Sequence, residues 1–177
     1  PDYYFTVPVS TTLHTTLVDA DGQGCFRLFE YVNGSHSYNT ATTEDIAYEA
    51  AKQFGKFTRL LSGFDSAKLK TTLPDFHNLV LRQKQFESAV SQASGERLQQ
   101  SAGIIKALQE FRYITAIFES IQQNPDFKKR VTHHDTKISN VLFDARNKGI
   151  CVIDLDTVMP GYFISDVGDM MRTYLSP

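Results

Sequence analysis

The residues able to do chemistry concentrate in two strings, His133-His134-Asp135-Thr136-Lys137-Ile138-Ser139-Asn140 and Ile153-Asp154-Leu155-Asp156. Between them, apolar runs at residues 141–143 and 150–155 flank the turn string Asp144-Ala145-Arg146-Asn147-Lys148-Gly149, which reads as a β hairpin. A hairpin brings Asn140, at the start of one strand, beside Asp154, at the end of the next. One amide and one or two carboxylates at a hairpin mouth suit magnesium, which takes hard oxygen ligands, keeps waters and shares substrate phosphates. Asp156 is the second carboxylate. Asp135, five residues before Asn140, is placed to accept a proton from an attacking hydroxyl beside the metal. Lys137 can neutralise phosphate charge.

These groups need elements to hold them. The first third reads as a hairpin: residues 13–18 are rich in Thr and Val, Asp19-Ala20-Asp21-Gly22-Gln23-Gly24 supplies turn residues, and residues 25–32 form a second apolar run. Gly22-Gln23-Gly24 lacks a third glycine and opens no helix, so it is a hairpin turn and not a phosphate loop. Thr43 can cap a helix carrying Ile46, Ala50, Phe54, Phe57 and Leu61 at spacings of three and four, with Gly63 to end it. A second helix is expected after Pro74. A third is expected over residues 101–122, with Ile104, Leu108, Phe111, Phe118 and Ile121 as its inward stripe. The order of elements gives an α+β class.

Composition narrows the function. The chain has 177 residues, 41% hydrophobic, with 18 Lys and Arg against 20 Asp and Glu for a net charge of −2. No strong field attracts nucleic acid or an anionic membrane, so neither is expected as a partner. Cys25 and Cys151 read as buried free thiols in a reducing, cytoplasmic setting. The polar start Pro1-Asp2-Tyr3-Tyr4 is not a signal peptide.

The spacing HxDxxxxN, followed by a strand leading into Asp154, resembles the catalytic pair of the protein-kinase-like phosphotransferases. Asp154-Leu155-Asp156 is similar to the aminoglycoside and choline kinase branch. Residues 132–144 and 152–161 most resemble N-acetylhexosamine 1-kinases, which use ATP and magnesium to phosphorylate the anomeric hydroxyl of N-acetylglucosamine or N-acetylgalactosamine. The resemblance implies a small-molecule (sugar) kinase with Asp135 as catalytic base and Lys137 on the transferred phosphate. It implies Asn140 and Asp154 as magnesium ligands that also hold the nucleotide, with Asp156 as a further metal ligand. His133 would orient the loop, and Asp166 would tie it to the following helix. Phe29-Glu30-Tyr31-Val32 resembles the hinge, where the Glu30 carbonyl and the Val32 amide would hold adenine.

On this resemblance residues 1–33 are the end of the small lobe, and residues 34–177 an incomplete, mainly helical large lobe. A Gly-rich turn and a strand lysine are expected ahead of the hinge, yet Arg27 is the only basic residue before Glu30. The chain therefore reads as the central portion of a kinase-like enzyme, expected to be a poor or inactive catalyst alone. Rival readings are a kinase for an aminoglycoside, choline or similar acceptor, and a non-catalytic nucleotide- or sugar-binding relative. A sulfatase-type hydrolase is disfavoured, because neither Cys25 nor Cys151 stands in a CxPxR string.

Overall fold

The computed structural model describes residues 3–175; Pro1 and Asp2 of the polar start, and the final Ser176-Pro177, lie outside them. The chain divides into two compact units, Leu73–Lys129 and the remainder, Pro1–Thr72 with Arg130–Pro177.

The larger unit is built around helix α1 (Glu44–Leu60). Thr43 caps it as its sequence suggests, the hydroxyl oxygen accepting the Ile46 N–H at 3.3 Å. Glu44 and Asp45 lie in the first turn and Arg59 in the last, each favourable toward the helix dipole. Ile46, Ala50, Phe54 and Phe57 are buried and pack with Val131, Ile138, Val141, Phe143 and Val152. Each large apolar side chain so buried contributes about 2 kcal/mol.

Among the described residues three two-stranded antiparallel sheets complete this unit: β1 (Val18–Ala20) with β2 (Gly24–Phe26), β3 (Arg130–Thr132) with β6 (Met159–Gly161), and β4 (Val141–Phe143) with β5 (Gly149–Val152). The first hairpin is shorter than the apolar runs suggest, and its turn uses Gly22 at φ 74°. Cys25 is exposed, against expectation, because every residue of β2 is exposed; Cys151 on β5 is buried, and both thiols are free. Burial pushes the Cys151 thiol up to about 11. Helix α6 (Phe163–Tyr174) closes the unit, packing on β3.

The β4–β5 turn is held by Asp144, whose Oδ1 accepts the N–H groups of Arg146 and Lys148 at 2.8 and 2.9 Å. Its far side is fixed to α1. Gln53 Nε2 donates to the Gly149 carbonyl at 2.7 Å, and a Cβ at position 149 would come 2.5 Å from Gln53 Cγ, so only glycine fits there.

The smaller unit holds α2 (Leu79–Gln92), α3 (Gly95–Gln100), α4 (Ala102–Glu110) and α5 (Tyr113–Gln123). The single helix expected over residues 101–122 is two. The chain turns at Phe111 and Arg112, whose N–H groups reach back to Ala107 and Gln109. Its expected inward stripe is not buried: Ile104 is 68% exposed and Phe111 54%. Within the unit α2 packs on α5 and α3 on α4, and these short pairwise contacts bury no side chain fully.

Glu49, 5% exposed on α1, accepts from Lys148 at 3.1 Å, Lys52 at 3.3 Å and the Gly149 N–H at 3.3 Å. Burial opposes its ionisation, but these three donors outweigh burial and hold the carboxyl below its ordinary value of 4.5. A group depressed in the folded state stabilises the fold above its unfolded pKa and loses that contribution as pH falls through the folded value. Glu49→Gln is expected to cost about 2 kcal/mol at pH 7 and to flatten the fall in stability below pH 4.5. Urea unfolding of both forms at pH 7 and across the acid range measures both effects.

Candidate active site

The loop from Thr132 to Asn140 is organised by one carboxylate. Asp166, buried on the first turns of α6, accepts the His133 N–H on Oδ2 at 3.0 Å and the His134 N–H on Oδ1 at 2.7 Å. Burial pushes the Asp166 carboxyl above the usual carboxylate range, and the two amide bonds pull against that shift without cancelling it. One turn on, Asp169 Oδ2 accepts the Thr136 N–H at 2.7 Å, while the Thr136 hydroxyl donates to the Asp166 carbonyl at 2.9 Å.

His133 links this loop to the strand that precedes Asp154. Its Nδ1 accepts the Asp135 N–H at 3.3 Å, so Nε2 carries the proton and donates to the Ile153 carbonyl at 3.2 Å. Burial lowers its pKa, in keeping with a neutral ring, and Phe54 and Phe57 meet the ring edge-on at 5.2 and 5.8 Å. The Thr157 hydroxyl donates to the His133 carbonyl at 2.6 Å. His134 takes a left-handed φ of 69°, and its ring lies so close to Gly161 that a Cβ there would come within 2.3 Å of it.

Asp135, Lys137 and Asn140 are brought together. Asp135 Oδ2 accepts Lys137 Nζ at 2.7 Å and Asn140 Nδ2 at 3.0 Å; Nδ2 also donates to the Asp135 carbonyl at 2.8 Å. Among the described residues Asp135 Oδ1 accepts nothing, so it is the oxygen open to a proton from a neighbouring hydroxyl. With its nitrogen committed to Asp135, Asn140 has Oδ1 left as the atom that could hold a cation. The hydrogen bond to Asp135 raises the Lys137 pKa, which keeps the ammonium charged.

The acids sit one residue differently from the simple hairpin expectation. Strand β5 stops at Val152, opposite Val141, and the Ile153 N–H bonds to the Asn140 carbonyl at 2.9 Å. Asp154 follows in the left-handed region (φ 61°, ψ 60°), and residues Leu155–Thr157 form a 3-10 turn. A non-glycine residue held there costs about 1–2 kcal/mol, a strain that ends the strand and turns the Asp154 and Asp156 carboxyls out into solvent.

Asp154 and Asp156 line a cleft of about 600 Å³ that also includes Phe29, Glu30, Val32, Leu142 and Ile153. That is within the size range of small-ligand sites. The sequence-predicted hinge and acids thus share one cleft, whereas Asp135, Lys137 and Asn140 are not in its lining. Among the described residues, neither the Glu30 carbonyl nor the Val32 N–H makes a backbone hydrogen bond, while the Val32 carbonyl is capped by Ser35 Oγ at 2.6 Å and Ser35 N at 3.2 Å. Among the described residues no three His, Cys, Asp or Glu side chains form a closed metal site. The two exposed carboxylates in the cleft, Asp154 and Asp156, are hard oxygen donors of the kind magnesium takes together with water and phosphate.

Residues 4–177 match the family described as APH, the phosphotransferase enzyme family. The chain belongs to that family. Its fold also matches a solved structure, an aminoglycoside phosphotransferase from Alicyclobacillus acidocaldarius subsp. acidocaldarius DSM 446, with a TM-score of 0.56 at 14% identity. The match covers 95% of this chain and 52% of that one, so the chain spans about half the length of the solved protein. The α+β, protein-kinase-like fold read from the sequence is the fold of this family member.

The sequence alone suggests no role for Asp169, Thr157 or Ser35 in this family member. The Asp166-x-x-Asp169 spacing, which puts two acids on one helix face, was the signal available for the first. Asp166→Asn leaves one of the two loop amides facing an N–H donor. It is expected to lower stability by about 2 kcal/mol and to slow turnover of the whole protein. Urea unfolding read beside kcat checks this, and unchanged stability would remove Asp166 as the loop's anchor.

Proposed function

We propose that the whole protein transfers the γ-phosphate of ATP to a hydroxyl of a small molecule, with magnesium as the metal. The observation that supports this best is the joining of Asp135, Lys137 and Asn140 through one carboxylate oxygen, in a loop fastened by His133 to the residue before Asp154. Asp135 orients the acceptor hydroxyl and takes its proton. Lys137 carries positive charge beside the base, where charge on the transferring phosphoryl group is stabilised. Asn140 Oδ1 and the carboxylates of Asp154 and Asp156 would hold magnesium, which when bound neutralises phosphate charge and orients the nucleotide. The Glu30 carbonyl and Val32 N–H, open toward ligand hydrogen bonds, take the adenine edge.

The acceptor is an N-acetylhexosamine, phosphorylated on its anomeric hydroxyl. Support for that choice is the likeness of residues 132–144 and 152–161 to N-acetylhexosamine 1-kinases. The cytoplasm, where ATP is abundant, suits the two free thiols. Among the described residues no helix is long and apolar enough to cross a membrane.

The test is ATP consumption by the whole protein across N-acetylglucosamine, N-acetylgalactosamine, choline and an aminoglycoside, the last because the solved relative is titled an aminoglycoside phosphotransferase. Turnover with an N-acetylhexosamine is expected, and Asp135→Asn is expected to lower kcat by about 10²–10⁴-fold with a small change in KM. Turnover with none of them, or full activity in Asp135→Asn, would reject the reading. Turnover confined to choline or the aminoglycoside would keep the reaction and replace the acceptor.

A further inference from the structure

We propose that Arg27 is a resident counter-ion of Asp156, which a divalent cation must displace before that carboxylate can ligate it. The inference rests on the reading of Asp156 as a metal ligand. Arg27 Nη2 forms a hydrogen-bonded ion pair with Asp156 Oδ1, joining residues 129 positions apart in the sequence. Both side chains line the cleft that Asp154 shares. The guanidinium also lies 5.8 Å from the centre of the Phe29 ring, and the Asp156 carbonyl accepts the Thr72 hydroxyl at 3.1 Å. The pair is thus held at both ends.

The two acids of Asp154-Leu155-Asp156 are therefore not equivalent. Among the described residues Asp154 pairs with no Lys or Arg, whereas Asp156 already holds a cation. A guanidinium in contact with one carboxylate oxygen opposes a second, divalent charge at the same group. The side chains are 40% and 62% exposed, and exposed ion pairs are weak, so the latch is one that a divalent cation can open. Asn140 and Asp154 then take the cation first, and Asp156 joins once Arg27 has left. The displaced guanidinium stays in the same cleft, where a phosphate oxygen is the anion it can pair with next.

Binding of Mn²⁺ to the nucleotide-free whole protein, followed by the loss of the free-ion electron paramagnetic resonance signal, tests this without any activity readout. Arg27→Gln is expected to tighten Mn²⁺ about two- to five-fold, Arg27→Lys to stay near wild type, and Asp156→Asn to weaken binding. In the Asp156→Asn background the effect of Arg27→Gln should fall below about two-fold. Arg27→Met, which keeps the aliphatic stem beside Phe29, is measured alongside and should behave like the glutamine variant. If Asp156→Asn weakens binding while Arg27→Gln and Arg27→Met leave it unchanged, the latch is wrong and the metal reading stands. An Arg27 effect that persists in full without the Asp156 carboxylate would also overturn the pairing. If Asp156→Asn does not alter Mn²⁺ affinity, Asp156 is not a ligand and the latch falls with that reading.

Discussion

Two backbone N–H groups on one buried carboxylate hold the active loop of this chain in place. Asp166 takes the amides of His133 and His134, and it does so from a helix that begins only after the strand carrying Met159–Gly161. Without an acceptor those two amides would be buried and unpaired, at a cost of about 1–3 kcal/mol each. The carboxylate gives each amide its own oxygen, Oδ2 for His133 and Oδ1 for His134, whereas an amide side chain in its place would present one acceptor and one N–H donor. The left-handed turn at His134 depends on the same contact, because it points consecutive N–H groups toward one acceptor.

From that anchor the rest of the site follows by short steps. His133, fixed by its own backbone, reaches Asp135 with one ring nitrogen and Ile153 with the other. Asp135 and the residue before Asp154 are thereby referenced to a single buried, neutral imidazole. The Thr157 hydroxyl closes the loop from the opposite direction. Preorganisation of this kind matters for phosphoryl transfer, where positioning and electrostatics carry most of the acceleration. The left-handed strain at Asp154 is sustained because its neighbours on both sides are bonded, Ile153 to Asn140 and Thr157 to His133.

What the sequence made legible was what short-range chemistry determines. Thr43 and the spacing of Ile46, Ala50, Phe54 and Phe57 specify α1, and Asp144 with Gly149 specifies the second hairpin's turn. The HxDxxxxN string placed Asp135, Lys137 and Asn140 on one loop because five residues of a tight loop bring its ends together. Less was legible where partners are remote. Asp169 meets Thr136 across 33 residues and Arg27 meets Asp156 across 129, and neither separation leaves a periodic trace. The break at Phe111 and Arg112 carries no Gly or Pro to announce it, so an apolar stripe read as one helix becomes two. Cys25 was expected to be buried on residue type alone, but a two-stranded ribbon has no second layer to bury it.

Asp166 makes the loop rigid before any substrate arrives. Backbone amide hydrogen exchange of the nucleotide-free whole protein measures that directly at His133, His134 and Thr136. Anchored as described, these three amides should exchange as slowly as those of the buried α1 turns around Phe54, through global unfolding. Exchange at the rate of exposed loop amides such as Ala145 would contradict it, and would mean that substrate, not Asp166, builds the loop.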